Sequence, residues 1–491
     1  MSVGKHLVIV EVSQKQAYIF GSRKLRDNLR RSEEIRYVTS PEFFAECCPE
    51  LYSNDNLVNA GGGHTVLEFD DETKAKSFAA AVSRRVLERY PQMELFIRCM
   101  EYDETGNPGE NLNALTQALE EKKARRRASF YRRSFGIDTA KVNPEPAPER
   151  PEFFERWKLT DDGNVLGGED NFLAVVHVDG NSMGKRVQKI YFPDEPVEWD
   201  ECVRRLRLFS GEIQAHFDQA YQEMCMELSA FLTANEWKGD CFPVRKVIGA
   251  GDDVTFVCAG NLGIYCAVSF IRSLNKKINA ADGRGYAACA GVCMVHTKYP
   301  FRAAYDMAEQ LCSSAKRFGA GLDPECGISA IDWHIEFGQL KDSLAEIRTD
   351  YLTEDGGRLE LRPYAVSWIG EEAATPPVIP NERRIEYFDD VVRKLNEQHE
   401  RLPRSKIKSL RDAFKRGEPE TLLELKKTGM GHILEIGVEQ RIPDWRQRTQ
   451  QEGKLEKPAF LVGKDGRRRC LYFDAVEMMD HITLWGGDAH E

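Results

Sequence analysis

Three acidic residues stand where they could do chemistry. Asp179 ends an apolar run, Leu173-Ala174-Val175-Val176-His177-Val178, and Asp252-Asp253 follow Gly249-Ala250-Gly251 between two further apolar runs, 244–248 and 254–258. Carboxylates brought together without partners repel and raise one another's pKa. Mg2+ or Mn2+ removes that cost, because hard cations take oxygen ligands. Two such ions can activate a hydroxyl and hold triphosphate oxygens during in-line transfer. Gly-Asp-Asp by itself is also ordinary β-turn composition. The flanking strands and the upstream Asp179 carry the chemical reading, since they would bring three acids to one edge of a sheet.

The elements that must position these acids follow from the apolar pattern. Strands are expected at 172–178, 244–248, 254–258, 287–296 and 328–334, with helices over 199–234, 262–279 and 301–317. An earlier block has the same order: a strand at 7–12, a polar and basic segment at 14–35, a strand before Gly61-Gly62-Gly63, a strand at 64–69, a helix over 72–89 and a strand at 95–102. Both read as the β-α-β-β-α-β palm or ferredoxin-like pattern. Leu7–Gln14 aligns with Leu173–Gly180, and Ala60–Thr65 with Gly249–Val254. The apolar positions and glycines correspond while the acids do not: Asp179 falls opposite Ser13, Asp252 opposite Gly63 and Asp253 opposite His64. Duplication accounts for this best, one copy keeping three acids where the other has none.

Proline punctuates the chain, because it lacks a donor and fixes φ. The run 143–151 reads as a linker and 375–380 as a weaker break. The fold class expected is α/β (α+β). A degenerate palm spans 1–143, a linker 144–151, an acid-bearing palm 152–374 and a mostly helical domain 381–491, with amphipathic helices over 383–400 and 406–415.

Composition narrows the class. The 491 residues carry a net charge of −11 with 42% hydrophobic residues, which fits globular protein and argues against a wholly disordered chain. No apolar run approaches the ~18 residues of a spanning helix and no secretory leader is visible, so no membrane association is expected. The 13 scattered cysteines contain no C-x-x-C pair, which points to reduced thiols in the cytoplasm. Cys289 and Cys293 share a strand face but have no second pair at zinc spacing. Net charge does not exclude local basic surfaces. One cluster is Arg23, Lys24, Arg26, Arg30 and Arg31; another runs from Lys122 to Arg133 with Phe130 and Tyr131 inside it. Either could contact RNA or phosphate, and either could be a solvated face.

The ordered motifs resemble a known family. Val176-His177-Val178-Asp179-Gly180-Asn181-Ser182-Met183-Gly184-Lys185 resembles the first palm motif of the large signalling subunit of type III CRISPR effector complexes, and Ile248–Val254 resembles its GGDD polymerase/cyclase motif. Ala290–His296, Tyr299-Pro300-Phe301 and the stretch from Ala308 to Lys316 resemble the strand and helix that follow. Gln16–Phe20, Lys24-Leu25-Arg26 and Gly61–Gly63 resemble the family's degenerate first palm, so the likeness covers about 5–335.

The resemblance implies facing palms with two ATP molecules between them, converted to a cyclic oligoadenylate messenger in antiviral defence. Asp179, Asp252 and Asp253 would then be catalytic residues and ligands of a two-metal Mg2+ or Mn2+ site. Asn181, Ser182 and the turn Gly249–Gly251 would line phosphates, Lys316 would meet a triphosphate, and Gly61, Gly62, Gly63 and His64 would border the second nucleotide. His177, on the same strand face as Asp179, would support the site. His334 belongs to a family motif without a derivable chemistry.

Three departures qualify this. Ala250 replaces the first glycine of GGDD, which one methyl allows if its φ is negative. No His-Asp dipeptide occurs, so no HD nuclease and no DNA cleavage are expected, and no zinc-binding insert is visible. The expected partners are ATP, guide or target RNA and other effector subunits. Two rivals remain: a catalytically lapsed palm scaffold binding nucleotide or RNA, and a mononucleotide cyclase.

Overall fold

A computed structural model describes residues 4–22, 24–126, 156–325, 327–338, 341, 343–369, 378–397, 404–431, 433, 441–442, 444–449, 458–463 and 465–484. The proline linker, Arg23, the stretch 127–133 with Phe130 and Tyr131, residues 375–377 and the end of the helix expected at 383–400 lie outside the described residues.

The first half runs β1 (His6–Ser13), α1 (Lys15–Ile19), α2 (Leu25–Val38), α3 (Pro41–Cys47), β2 (Leu57–Gly61), β3 (His64–Phe69), α4 (Glu72–Arg89), β4 (Glu94–Glu101) and α5 (Pro108–Arg126). A short α6 (Gly163–Leu166) precedes β5 (Phe172–Gly180), α7 (Met183–Tyr191), α8 (Trp199–Ala234), β6 (Val244–Ala250), β7 (Asp253–Ala259) and α9 (Gly263–Asn275). Then come the small hairpin β8 (Ile278–Asn279) and β9 (Arg284–Gly285), β10 (Ala288–His296), α10 (Phe301–Leu322), β11 (Ile328–Ile335), α11 (Leu344–Ile347) and β12 (Tyr364–Trp368). The chain continues through α12 (Ile385–Glu397), α13 (Arg404–Arg416), α14 (Glu418–Thr428), β13 (Phe460–Val462), β14 (Arg468–Cys470) and α15 (Phe473–Met478).

The first sheet has the order β2-β3-β1-β4, antiparallel throughout. The second contains β6-β7-β5-β10 in the same order and extends it by β11 and β12. β11 is parallel to β10, and β12 antiparallel to β11. Both therefore follow the ferredoxin-like split βαβ arrangement. The expected helix over 262–279 stops at Asn275, where the chain turns into the small hairpin.

Alternation decides which face of the second sheet each residue serves. Val176, Val178, Val254 and Phe256 join the core with α8 and α9. Val175 and Val257 point the other way, into a core shared with α10 and the helices of the first half. α8 also reaches the first sheet, with Ser210 Oγ donating to Asn59 at 2.6 Å and Trp199 Nε1 to Glu68 at 3.0 Å.

α10 sits hard against β10. A Cβ at Gly291 would stand 1.9 Å from the Ala308 carbonyl oxygen and 2.4 Å from the Cys312 nitrogen. The obstacle is helix backbone, which cannot rotate aside as a side chain can. Gly291→Ala is therefore expected to lose about 3 kcal/mol, the upper end of overpacking effects. Chemical unfolding checks it, and a wild-type midpoint would contradict this packing.

Candidate active site

Strand register corrects the repeat alignment. Asp253 pairs with Ala250 across the hairpin and with Asp179 across β5. In the first sheet His64 pairs with Gly61 across the hairpin and with Glu11 across β1. Likewise Gly180 N donates to the Asp252 carbonyl at 3.1 Å, and Val12 N to the Gly63 carbonyl at 3.3 Å. Thus Asp252 and Asp253 do correspond to Gly63 and His64, but Asp179 corresponds to Glu11 and not to Ser13. The first copy keeps one acid. A two-residue slip preserves the in–out alternation, so the apolar pattern could not reveal it.

The lysines follow the same symmetry. Lys316, on α10, pairs with Asp179 at 2.6 Å and donates to the Gly180 carbonyl at 3.1 Å. Lys123, on α5, pairs with Glu11 at 2.8 Å. In each copy the helix after the fourth strand sends an ammonium to the acid at the end of the first strand. Lys122, itself exposed, donates to the Ile97 carbonyl at 2.5 Å, so both lysines of this part of the basic run have partners within the chain. In the other cluster, Arg30 pairs with Glu34 at 3.5 Å and Arg31 donates to the Tyr18 carbonyl at 2.9 Å.

Asp179 and Asp253 face each other directly across adjacent strands, which is unfavourable for two like charges. Asp252 follows Gly251 in the turn, where Gly251 takes φ 67°, a left-handed value suited to glycine. Ala250 is not among the positive-φ residues, so its methyl sits on ordinary strand backbone. Burial first, and then the charge of Asp179, push Asp252 up to about 6. Burial, Asp179 and Glu309 push Asp253 up to about 7. Asp253 Oδ1 is buried without a hydrogen bond, while His177 Nδ1, 3.4 Å away, bonds Thr255 Oγ1 at 3.1 Å. Burial lowers the His177 pKa and favours the neutral ring. The ring of His177 thus lies next to the Asp253 carboxylate.

The first palm completes the surroundings. Gly62 N comes within 3.7 Å of the Cβ position of Gly251, so the two glycine turns abut. Lys15 donates to the Gly62 carbonyl, and burial lowers its pKa against the pull of Glu11 and Asp253. His64 is lowered by burial and then by Lys15. Gln16 Nε2 crosses to Glu309 at 2.9 Å and to the Tyr305 hydroxyl at 3.3 Å. Gln214, on α8, accepts from Gly251 N at 2.8 Å.

Other expected site residues are placed differently. Asn181 is buried, and its Nδ2 donates to the Ile328 carbonyl at 2.9 Å, so this amide braces β11. Ser182 takes φ 58° just before α7. Gly249 lies against the Lys246 side chain, whereas Gly61 faces open space. His334 lies 3.7 Å from Glu336. Sequence reasoning missed Glu11, Lys15, Lys123, Tyr305, Glu309 and Gln214 as site groups. Extending the repeat alignment into α5 and α10 would have found Lys123.

The donor set suits a hard divalent cation: three carboxylates, two with raised pKa and one with an orphaned oxygen. As the side chains stand, no group of three or more His, Cys, Asp or Glu among the described residues closes around an ion-sized position. Lys316 holds Asp179 instead.

These features define a paired-palm protein with a polar, acid-bearing edge between the sheets. Residues 172–320 match the family model for the Cas10/Cmr2 second palm domain. Its fold is similar to a chain of the apo Csm1-Csm4 cassette, with TM-score 0.55, 12% identity, and coverage of 97% of this chain and 70% of that one. It is similar to cassettes in complex with pppApApA (TM-score 0.55, 13% identity, covering 97% and 69%) and with cA3 (0.54, 12%, 98% and 70%). Against another chain of this kind, from a complex with AMPPNP, it spans 53% of that chain's length. No curated protein matches the chain. Among the described residues no helix is long and apolar enough to cross a membrane.

Proposed function

We propose that the chain is a subunit of a type III CRISPR effector that transfers nucleotidyl groups from ATP, yielding a cyclic oligonucleotide messenger. The observation that carries this reading is the direct cross-strand opposition of Asp179 and Asp253, beside Asp252, at an edge abutted by the glycine turn of the first palm. Structures of similar fold hold pppApApA and cA3, which fits such substrates and products.

Asp179, Asp252 and Asp253 would hold Mg2+ or Mn2+. Bound there, the ions supply Lewis-acid stabilisation of phosphate charge and lower the pKa of a ribose hydroxyl. Lys316, released from Asp179, answers the triphosphate charge. The turns at Gly251 and Gly62 let backbone approach phosphate closely. The hydroxyl of one nucleotide gives up its proton to solvent, its oxygen bonds to the α-phosphorus of the other, the α–β bridging bond breaks, and pyrophosphate leaves. Lys316→Gln removes the charge and shortens the side chain by one atom. It is expected to lower kcat/KM roughly a hundredfold, the scale of losing one charge-assisted contact to the transferring phosphate.

One observation favours a non-catalytic scaffold: Asp179 is already satisfied by Lys316 at 2.6 Å. Chromatography of the products from labelled ATP, with Mg2+ or Mn2+ and with or without RNA, separates the readings. Cyclic or linear oligonucleotides support the proposal, a cyclic mononucleotide replaces it with intramolecular cyclisation, and absence of product under every condition favours the scaffold.

A further inference from the structure

Away from the paired turns, a cleft of about 370 Å³ opens between the C-terminal end of α10 and the C-terminal segments. That volume lies in the range of small-molecule sites. Its polar lining is unbalanced: Arg317, Arg383, Arg448 and Arg469 against Glu382 and Asp465. Two of the four guanidiniums are neutralised. Arg448 grips Glu382 through two bonds, one of them 3.1 Å long, and Arg469 grips Asp465 at 2.6 and 2.8 Å.

The other two make no ion pair among the described residues. Arg383 lies 4.3 Å over the Phe318 ring, and its Nε and Nη2 donate only to the Pro363 carbonyl, at 3.1 and 3.0 Å. Its Nη1 therefore keeps its donors. Burial and then the neighbouring Arg469 lower its pKa to about 10, against the pull of Tyr364, Glu382 and Asp474. Arg317 is exposed at the rim and makes no ion pair or hydrogen bond among the described residues. Leu322, Leu361 and Leu461 form an apolar wall beside these donors. A cation held in place by an aromatic face and a carbonyl, with a second one lining the same cleft, matches the planar fork recognition of phosphate.

We infer that this cleft is a second ligand site, which takes a nucleotide phosphate, the guanidiniums of Arg317 and Arg383 holding the phosphate and the leucine wall the body of the nucleotide. The phosphate belongs either to a free nucleotide or to the end of an RNA strand.

The test uses the full chain in EDTA, which disfavours nucleotide binding at the acidic edge. Hydrogen exchange is followed peptide by peptide with ADP in one arm and a 5′-phosphorylated oligoadenylate in the other, each with inorganic phosphate as competitor. Protection of the segments around 317–322, 380–384 and 461–469 is expected in at least one arm. ADP alone identifies a free nucleotide, and the oligoadenylate alone identifies a strand end. Arg317→Glu, at an exposed side chain with no ion pair or hydrogen bond among the described residues, leaves the melting temperature unchanged and weakens half-saturation at least about tenfold; Arg383→Lys, which loses the fork, weakens it likewise. No protection in either arm, or saturation indifferent to both substitutions, overturns the inference. Turnover is not read, so this outcome stands apart from that of the catalytic proposal.

Discussion

Asp253→Asn is expected to abolish nucleotidyl transfer while stabilising the metal-free protein. The substitution keeps the shape of the side chain and removes its charge. Turnover should fall at least about a thousandfold, since metal-held charge stabilisation is worth several kcal/mol and each 1.4 kcal/mol is a factor of ten. Stability should move the other way. Asp253 opposes Asp179 directly across the β5–β7 pair, and relieving such a like-charge pair is worth roughly 0.5–1 kcal/mol. The pH dependence has a definite sign. Asp252 and Asp253 are raised to about 6 and 7, so between their unfolded values and these the native state binds more protons than the unfolded one. Metal-free stability therefore declines as pH rises through that window, and Asp253→Asn should flatten the decline. Unfolding in EDTA at several pH values, beside turnover with Mn2+, reads both effects. A variant that retains turnover or loses stability would contradict the role given to Asp253.

The second large effect lies where the C-terminal segments meet the extended sheet. Arg362 is fully buried, with its Nη1 2.6 Å from Glu477 and 3.6 Å from Asp474, both on α15. Asp474 Oδ2 accepts from Leu361 N at 2.9 Å, Arg362 N at 3.0 Å and the Tyr364 hydroxyl at 2.9 Å. The Arg362 guanidinium lies 5.5 Å from the Trp333 ring of β11. Arg362→Ala would strand two carboxylates in the core, a loss of roughly 3–5 kcal/mol. Removing one of the two stranded charges with Glu477→Gln in the same chain should recover part of it, since most of the cost is unpaired charge. A loss below about 1 kcal/mol, the scale of a surface pair, would mean that α15 does not depend on this ion cluster.

Much of this architecture is legible in the sequence because burial writes it there. The runs 172–178 and 254–258 are almost continuously apolar, as central strands covered on both faces must be, while Arg245 and Lys246 interrupt the edge strand β6. The long α8 matches its expected span, Trp199 to Ala234. The resemblance to the Cas10 family accords with the match over 172–320. What escaped is set by register and by tertiary reach. Nothing in the local pattern distinguishes Glu11 from Ser13 as the partner of His64, because both lie on the same face of β1. Lys316 was legible only through resemblance, and Lys123 was read as part of a solvated or nucleic-acid-binding run. Its ion pair with Glu11 joins residues far apart in sequence. Asn181 looked like a phosphate ligand by position, yet its amide reaches the Ile328 carbonyl, a strand that the motif does not contain.

The most direct measurement is a titration of the purified chain with Mn2+, followed by the loss of the free-ion electron paramagnetic resonance signal, with and without a non-hydrolysable ATP analogue. The account predicts saturable binding that tightens with the nucleotide and disappears in Asp252→Asn/Asp253→Asn, a variant that remains folded. Binding of the same strength in that variant, or no saturable binding to the wild type with nucleotide present, would contradict the assignment of Asp179, Asp252 and Asp253 as a metal and nucleotide site.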